Sequence, residues 1–176
     1  MRPFLLVFIL AFVSCGKEEK SVFRFSVQPK NVPAEAIERM RDIFQEFNSH
    51  VGYELIYFCS SNCTGTVEFS DLEDQAMVGL CTPFQNNVSR SSFDLKEGFK
   101  TRKSREFHAN FKFSNKLLTT PDDQLFRVIV LHEIGHALGF GHSQNAEDIM
   151  YPFVNGKKNF TEFFDSSSNW VGKITQ

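Results

Sequence analysis

The sequence predicts one domain of the α+β class, and three observations support that prediction. Five segments have the character of strands, and the first and the last of them alternate apolar and polar residues, as strands with one buried face do. A helical pattern follows Pro33 and ends near Gly52. A second helical pattern begins near Thr120 and carries an apolar stripe. The predicted order of elements is therefore β-α-β-β-β-β-α, with a short helix near the end of the chain.

The strand predictions rest on short apolar segments between turn-forming residues, with period-two alternation in the first and the last. The strands are expected at residues 22–27, 53–58, 65–71, 76–84 and 106–113. The stretch 86–105 between the last two is polar, irregular and rich in lysine and arginine. We expect it to be a solvated loop, or otherwise a contact for acidic substrates or phospholipid headgroups.

The helix predictions rest on apolar stripes and on end signals. In the first helix the stripe is Ala36, Ile37, Met40, Ile43, Phe44 and Phe47. In the second helix Thr120 is the predicted N-cap, and Pro121 occupies the first helical position. Asp122 and Asp123 then place negative charge at the positive end of the helix dipole, which stabilises the helix. The stripe of this helix is Leu125, Val128, Ile129, His132 and His136. A last short helix is predicted from Asn159.

Three of the five histidines lie close together in the stretch LHEIGHALGFGHS. His132 and His136 are four residues apart, so a helix presents both imidazoles on one face. Gly139 allows a left-handed turn that ends the helix and brings His142 in from another direction. Three imidazoles and one water make the open tetrahedral site of a hydrolytic zinc enzyme. Glu133 can lean over that site without being a ligand.

The HEIGHALGFGH motif at residues 132–142, followed by DIMYP with Met150, resembles the metzincin clan of zinc endopeptidases. Ser143 directly after the third histidine, and MYP at 150–152, are most like the matrixin (matrix-metalloproteinase-like) branch. The resemblance implies a metzincin-like fold with a twisted five-stranded mixed sheet, an active-site helix, a Met-turn and a short C-terminal helix. It also implies that Met150 forms the turn that supports the zinc without binding it.

The resemblance further implies a zinc-dependent endopeptidase with one catalytic Zn²⁺. Glu133 would take a proton from the zinc-bound water, direct the hydroxide at a peptide carbonyl and pass the proton to the leaving amine. A protein or peptide substrate would lie extended and pair with the edge strand at residues 76–82. The side chain after the scissile bond would enter a pocket walled by the helix and by Tyr151, Pro152, Phe153 and Val154. The resemblance leaves room for structural Ca²⁺, for which the sequence shows no readable ligand set.

Two other classes of function remain open from the sequence. One is a surface lipoprotein that uses a protease-like fold as a binding module without turnover. Against that class, no catalytic position of the motif is substituted. The other is a structural or adhesive surface protein in which zinc only braces the fold. A closed structural site needs a fourth protein ligand, and none is evident near His142.

Residues 1–14 are predicted to be a signal peptide, because Arg2 precedes an uninterrupted apolar run at residues 4–13. That run is too short to cross a bilayer as a helix. The junction FVSC, which ends at Cys15, resembles the lipobox of bacterial lipoproteins. It departs from that pattern at Phe12, where an aliphatic residue is usual.

The lipobox resemblance implies that Cys15 becomes the lipidated first residue of the mature protein. Residues 15–21 would form a polar tether, and residues 22–176 the single metalloprotease catalytic domain. The alternative is an ordinary secretory signal that is cut near Ser14 or Gly16. We therefore expect an exported protein, either a membrane-anchored bacterial lipoprotein or a secreted protein.

Charge and composition limit the expected partners. The formal net charge of −2 gives no reason to expect nucleic acid. No linker, repeat or low-complexity tract indicates a second domain. We expect a monomer that meets the membrane only through the lipid anchor. His50 and His108 lie outside the histidine cluster and are expected to be structural or surface residues.

Three further cysteines follow Cys15, and export permits disulfide bonds among them. Cys59 and Cys63 bracket the short segment SSN and can close a turn, which leaves Cys81 free and buried. In the alternative, Cys81 pairs with one of the other two across neighbouring strands. The sequence leaves both pairings open.

The lipobox-like junction generates a prediction about the N-terminus. Replacement of Cys15 by Ser should release the protein from membranes, because the lipid is attached through the cysteine sulfur. Membrane fractionation and mass spectrometry of the native N-terminus measure this. A mature protein that begins elsewhere, without a diacylglyceryl group, would contradict lipidation and leave the protease prediction untouched.

Overall fold

The computed structural model describes residues 24–72, 78–94, 98–153 and 158–174, with only the backbone described at 84–94, 98–107 and 172–174. Its strands are β1 (Phe25–Lys30), β2 (Ile56–Phe58), β3 (Gly65–Ser70), β4 (Gly79–Asp94) and β5 (Gly98–Ser114). Its helices are α1 (Ala34–Val51), α2 (Asp123–Ala137) and α3 (Phe160–Ile174), and a 3-10 turn at Asn115–Thr119 lies between β5 and α2. The predicted signal peptide, Cys15 and the polar tether lie outside the described residues.

The five strands form one mixed sheet in the order β2-β1-β3-β5-β4. β1 is parallel to β2 and β3, β3 is parallel to β5, and β4 is antiparallel to β5. The prediction of an α+β fold with a five-stranded mixed sheet is confirmed. β4 lies at the end of this order, so the expected edge strand at 76–82 is present from Gly79 onward. Residues 76 and 77 lie outside the described part of the chain.

The first two strands differ from their predicted bounds at 22–27 and 53–58. β1 begins at Phe25 and continues further, because its parallel register with β3 extends it. β2 begins only at Ile56. The side-chain oxygen of Asn48 accepts the amide hydrogen of Ile56 at 3.1 Å. The chain that enters β2 is therefore held by the end of α1 as well as by β1, where the Phe25 amide donates to the carbonyl of Leu55 at 2.6 Å.

Residues 86–94 and 98–105 belong to two long antiparallel strands, so the prediction of a loop was wrong for these residues. The register of β4 with β5 runs from the pair Gly79 and Phe113 to the hairpin end at Asp94. The register of β3 with β5 stops at Ala109, so most of the hairpin extends past the parallel part of the sheet. Strand prediction relied on the alternation that one buried face imposes, and a two-stranded extension does not need that alternation.

Phenylalanines fill the core between the sheet and the helices. Five phenylalanines from the sheet and the helices are at most 2% exposed: Phe25, Phe47, Phe111, Phe113 and Phe126. Burial of one such side chain contributes about 1.5–3 kcal/mol, so this layer holds α2 firmly on the sheet. α1 presents its predicted apolar side to this core and ends at Gly52 in a left-handed conformation, with φ of 67°.

α3 begins within one residue of the predicted start at Asn159 but is longer than the short helix expected from the segment NFTEFF. Its inner side continues beyond that segment with Ser167 and Val171, which are buried. Phe163 packs against Phe47 with ring centroids 6.2 Å apart. Among the described residues, no helix is long and apolar enough to cross a membrane.

The structure settles the cysteine pairing that the sequence left open. Cys59 and Cys63 form a disulfide bond. Cys81 is free and buried, and it lies on β4 opposite Phe111 of β5. The first of the two predicted pairings is therefore correct.

The N-cap of α2 is Asp122 and not Thr120. The Asp122 side chain accepts the amide hydrogen of Leu125 at 3.0 Å. A carboxylate at the N-cap accepts the hydrogen bond and also places a negative charge at the positive end of the helix. It therefore stabilises the helix end more than a threonine two residues earlier would. Pro121 consequently lies before the helix and not at its first position.

This cap generates a stability prediction. Asp122→Ala should lower the free energy of unfolding by about 1 kcal/mol, because the amide of Leu125 loses its acceptor. Thr120→Ala is the matched control and should leave stability within about 0.5 kcal/mol. Urea denaturation of both variants measures the difference. A larger loss for Thr120→Ala would show that the cap lies where the sequence placed it.

Candidate zinc site

The structure brings together the three histidines of the motif. His132 and His136 lie one turn apart on α2, and their rings meet edge to face with centroids 4.6 Å apart. The Nε2 atoms of His136 and His142 are 3.2 Å apart. One nitrogen from each histidine lies within 4.8 Å of the other two. His50 lies elsewhere, where its ring stacks on Phe164.

The end of α2 explains how His142 reaches the other two histidines. Gly139 adopts a left-handed conformation with φ of 86°, as the sequence predicted. Its amide donates to the carbonyl of His136 at 2.9 Å, and the amide of Phe140 donates to the carbonyl of Gly135 at 2.9 Å. These bonds close the last turn of the helix. The chain then reverses and carries His142 back beside the helix.

Two backbone carbonyls orient the helical histidines. The Nδ1 atom of His132 lies 2.8 Å from the carbonyl oxygen of Ile149, and that of His136 lies 2.9 Å from the carbonyl oxygen of Phe140. A carbonyl only accepts hydrogen bonds, so each Nδ1 carries the hydrogen and donates. Each Nε2 is therefore left with a lone pair that faces the cluster. Such partners orient most metal-binding histidines.

The three histidines fit a zinc ion. Ligands at the usual Zn–N distance in a tetrahedral site lie about 3.3 Å apart, and the Nε2 atoms of His136 and His142 are 3.2 Å apart. Burial lowers the pKa of His132 to about 4, so this imidazole is neutral near pH 7. Burial also lowers the pKa of His136. Three imidazole ligands leave a fourth tetrahedral position for water or substrate.

Met150 is buried beneath the ligand helix. A Cβ atom built at Gly135 would overlap the Met150 sulfur, so the glycine between the two helical histidines makes room for it. The carbonyl of Met150 accepts the amide hydrogen of Ser143 at 2.9 Å. The methionine turn thus contacts both the helix and the chain that carries His142. Sequence reasoning missed Gly135, although an isolated glycine inside a helical pattern was a visible signal.

Glu133 is buried beside the histidines and is 4% exposed. Burial raises the pKa of this carboxyl to about 7, and a hydrogen bond from the backbone of Cys81 offsets part of the increase. Its Oε2 atom accepts no hydrogen bond within the described part of the chain. A buried oxygen of this kind is poised to accept a proton from a bound molecule.

A cleft of about 610 Å³ runs between β4 and α2 and includes the histidines and Glu133. Pro152 and Phe153 line its far side. Tyr151 packs its ring against Phe153, with centroids 5.8 Å apart, and lies behind the wall. Val154, the fourth predicted pocket residue, lies outside the described residues.

A buried lysine, Lys158, braces this wall, and no sequence pattern indicated it. The Nζ atom of Lys158 donates to the carbonyl oxygens of Ala146 at 2.9 Å and Phe153 at 3.2 Å. It also lies 5.1 Å from the centre of the Tyr151 ring. Burial lowers the pKa of Lys158, and the charge of Asp148 partly offsets this shift. The lysine ties the loop after the third histidine to the start of α3.

Comparison with known proteins found a similar sequence and a similar solved structure. A protein described as a putative matrix metalloproteinase, from Trichoplusia ni ascovirus 2c, is 43% identical over 54 residues. That match covers 30% of this chain and 10% of the viral protein. The crystal structure of archaemetzincin from Methanopyrus kandleri is 9% identical, with a TM-score of 0.49, and the match covers 88% of this chain and 98% of that one.

The sequence model of the matrixin family matches residues 27–169. The matched range begins within β1 and contains the other four strands, the helix with His132 and His136, and the loop with His142 and Met150. The match therefore includes the elements that build the site. This chain belongs to the matrixin family of zinc metallopeptidases.

Proposed function

We propose that this protein is a zinc-dependent endopeptidase in which Glu133 is the general base. The observation that carries the proposal is the position of its carboxylate. It is buried beside three converging imidazoles, and one of its oxygens has no hydrogen-bond partner within the described residues. Burial of a carboxylate oxygen without a partner is unfavourable and is characteristic of a group that acts on a bound molecule.

His132, His136 and His142 would hold the zinc ion. When bound, zinc supplies Lewis acidity, which lowers the pKa of water and polarises a peptide carbonyl. Glu133 accepts the proton of the attacking water and donates it to the leaving amine. Because burial brings its pKa to about 7, Glu133 can both accept and release a proton near neutral pH.

The proposed substrate is a protein or peptide in an extended conformation. β4 is the edge strand beside the cleft, and an edge strand suits pairing with another extended chain. Within the described part of the chain, the large apolar side chains that are exposed are Leu80 (39%) and Phe153 (66%). Both line the cleft, one on each side. Exposed apolar groups at a cleft favour an apolar ligand.

One prediction distinguishes the role of Glu133 as base from the role of the histidines as zinc ligands. Glu133→Ala should keep zinc near one equivalent and reduce peptide hydrolysis by about 10² to 10⁴, the usual contribution of a positioned base. His136→Ala should lose both zinc and activity, because it removes a ligand. Glu38→Ala, which removes an exposed carboxylate on α1, is the control and should match wild type. Metal content by plasma emission and cleavage rates are measured together.

Two outcomes would contradict the proposal. Wild-type cleavage rates in Glu133→Ala would exclude Glu133 as the base. A folded, zinc-loaded wild type that cleaves nothing in a broad peptide library would favour the binding module over the enzyme. Chelation should abolish activity, and added zinc should restore the wild type but not His136→Ala.

Another prediction concerns the selectivity for the residue after the scissile bond. Mapped cleavage sites should carry a large apolar residue directly after the scissile bond, because its burial contributes about 1.5–3 kcal/mol. Phe153→Ala should weaken that preference by about tenfold, whereas Phe153→Leu should preserve most of it. Mass spectrometry of peptide-library products gives the preference. Sites with only charged residues at that position would refute it.

A further inference from the structure

We propose that Gly79 is a positioning residue for Glu133, because the missing side chain at position 79 provides the space that the carboxylate occupies. The consequence for catalysis rests on the proposed role of Glu133 as base. The spatial relation between the two residues does not depend on that role. The two parts of the proposal can therefore be tested separately.

The geometry of the contact is close. A Cβ atom built on Gly79 would lie 2.6 Å from Oε1 of Glu133 and 3.0 Å from both Cδ and Cγ. Carbon atoms do not approach an oxygen that closely without displacing it. The carboxylate is also held by the backbone N–H of Cys81, so a displacement would stretch that hydrogen bond. Alanine at position 79 would therefore push Glu133 away from its observed position.

The backbone does not require glycine at this position. The left-handed glycines are Gly52 and Gly139 among the described residues, and Gly79 has an ordinary strand conformation. Glycine weakens the interior of a strand, because it lacks a side chain to pack and loses more conformational freedom on folding. A glycine in a strand often marks the close approach of another group. Here that group is the Glu133 side chain.

β4 thus contributes to the position of Glu133 in two ways. Gly79 and Cys81 are two residues apart, so both face α2 in an extended strand. Gly79 leaves space for the carboxylate, and the Cys81 amide donates a hydrogen bond to it. Leu80 lies between them, is 39% exposed and lines the cleft. The edge strand proposed to bind substrate therefore also sets the position of the base.

The spatial part is tested on metal-free protein by a double-mutant cycle in thermal stability. Gly79→Ala alone should lower Tm by about 3–6 °C, the usual effect of overpacking in a domain of this size. In a Glu133→Ala background the carboxylate is absent, so Gly79→Ala should leave Tm within about 1 °C or raise it. Equal losses in both backgrounds would overturn the proposal, because alanine would then act on the strand itself.

The catalytic part is tested on zinc-loaded protein. Gly79→Ala should lower kcat by about 10², the effect of a misplaced catalytic group, with KM within about twofold and zinc near one equivalent. A higher KM with unchanged kcat would assign Gly79 to substrate pairing and overturn the proposal. If Gly79→Ala does not fold, recovery of folding in the Glu133→Ala double variant supports the proposal, and failure to recover overturns it.

These readouts distinguish the two proposals. If wild-type protein cleaves no peptide, the endopeptidase proposal fails, while the Tm cycle still decides whether Gly79 positions Glu133. If wild-type protein is active and the Tm shifts are additive, the endopeptidase proposal stands and the role of Gly79 is refuted.

Discussion

The burial of α2 is the constraint on which the rest of the site depends, because it takes two polar side chains out of water. Ten of the fifteen helix residues are buried, and His132 and Glu133 are among them. A buried polar atom destabilises the fold unless it has a partner. The carbonyl of Ile149 and the amide of Cys81 provide those partners. The loop after the third histidine and the edge strand are therefore placed by the polar atoms of one helix.

The same burial sets the protonation of both kinds of group. It lowers the pKa of His132 to about 4 and raises that of Glu133 to about 7. In each case burial disfavours the charged form, and the backbone hydrogen bond partly opposes it. The imidazole therefore keeps a free lone pair in neutral solution, while the carboxyl stays close to half-protonated. One physical cause prepares a metal ligand and a proton acceptor on adjacent residues.

Sequence reasoning predicted the parts of the site that depend on spacing along the chain, and missed those that depend on contacts between elements. The motif at 132–142 identifies its residues because helical periodicity and a left-handed glycine follow from local rules. The carbonyls of Phe140 and Ile149 carry no such signal, because every residue has a carbonyl. Gly79 and Gly135 were visible as isolated glycines, but what fills the space beside each emerges only when the elements pack. The extended hairpin was missed because it lies past the core and needs no apolar alternation.

The three histidines differ in exposure, and this gives metal exchange a direction. His132 is buried, His136 is half-buried and His142 is exposed. The rings of His132 and His136 are held in place without an ion, because each donates a hydrogen bond to a backbone carbonyl. A zinc ion held by these residues would be most open to solvent on the His142 side, so exchange would begin at that ligand. The lifetime of a loaded site would therefore depend on how firmly the loop that follows Gly139 holds His142.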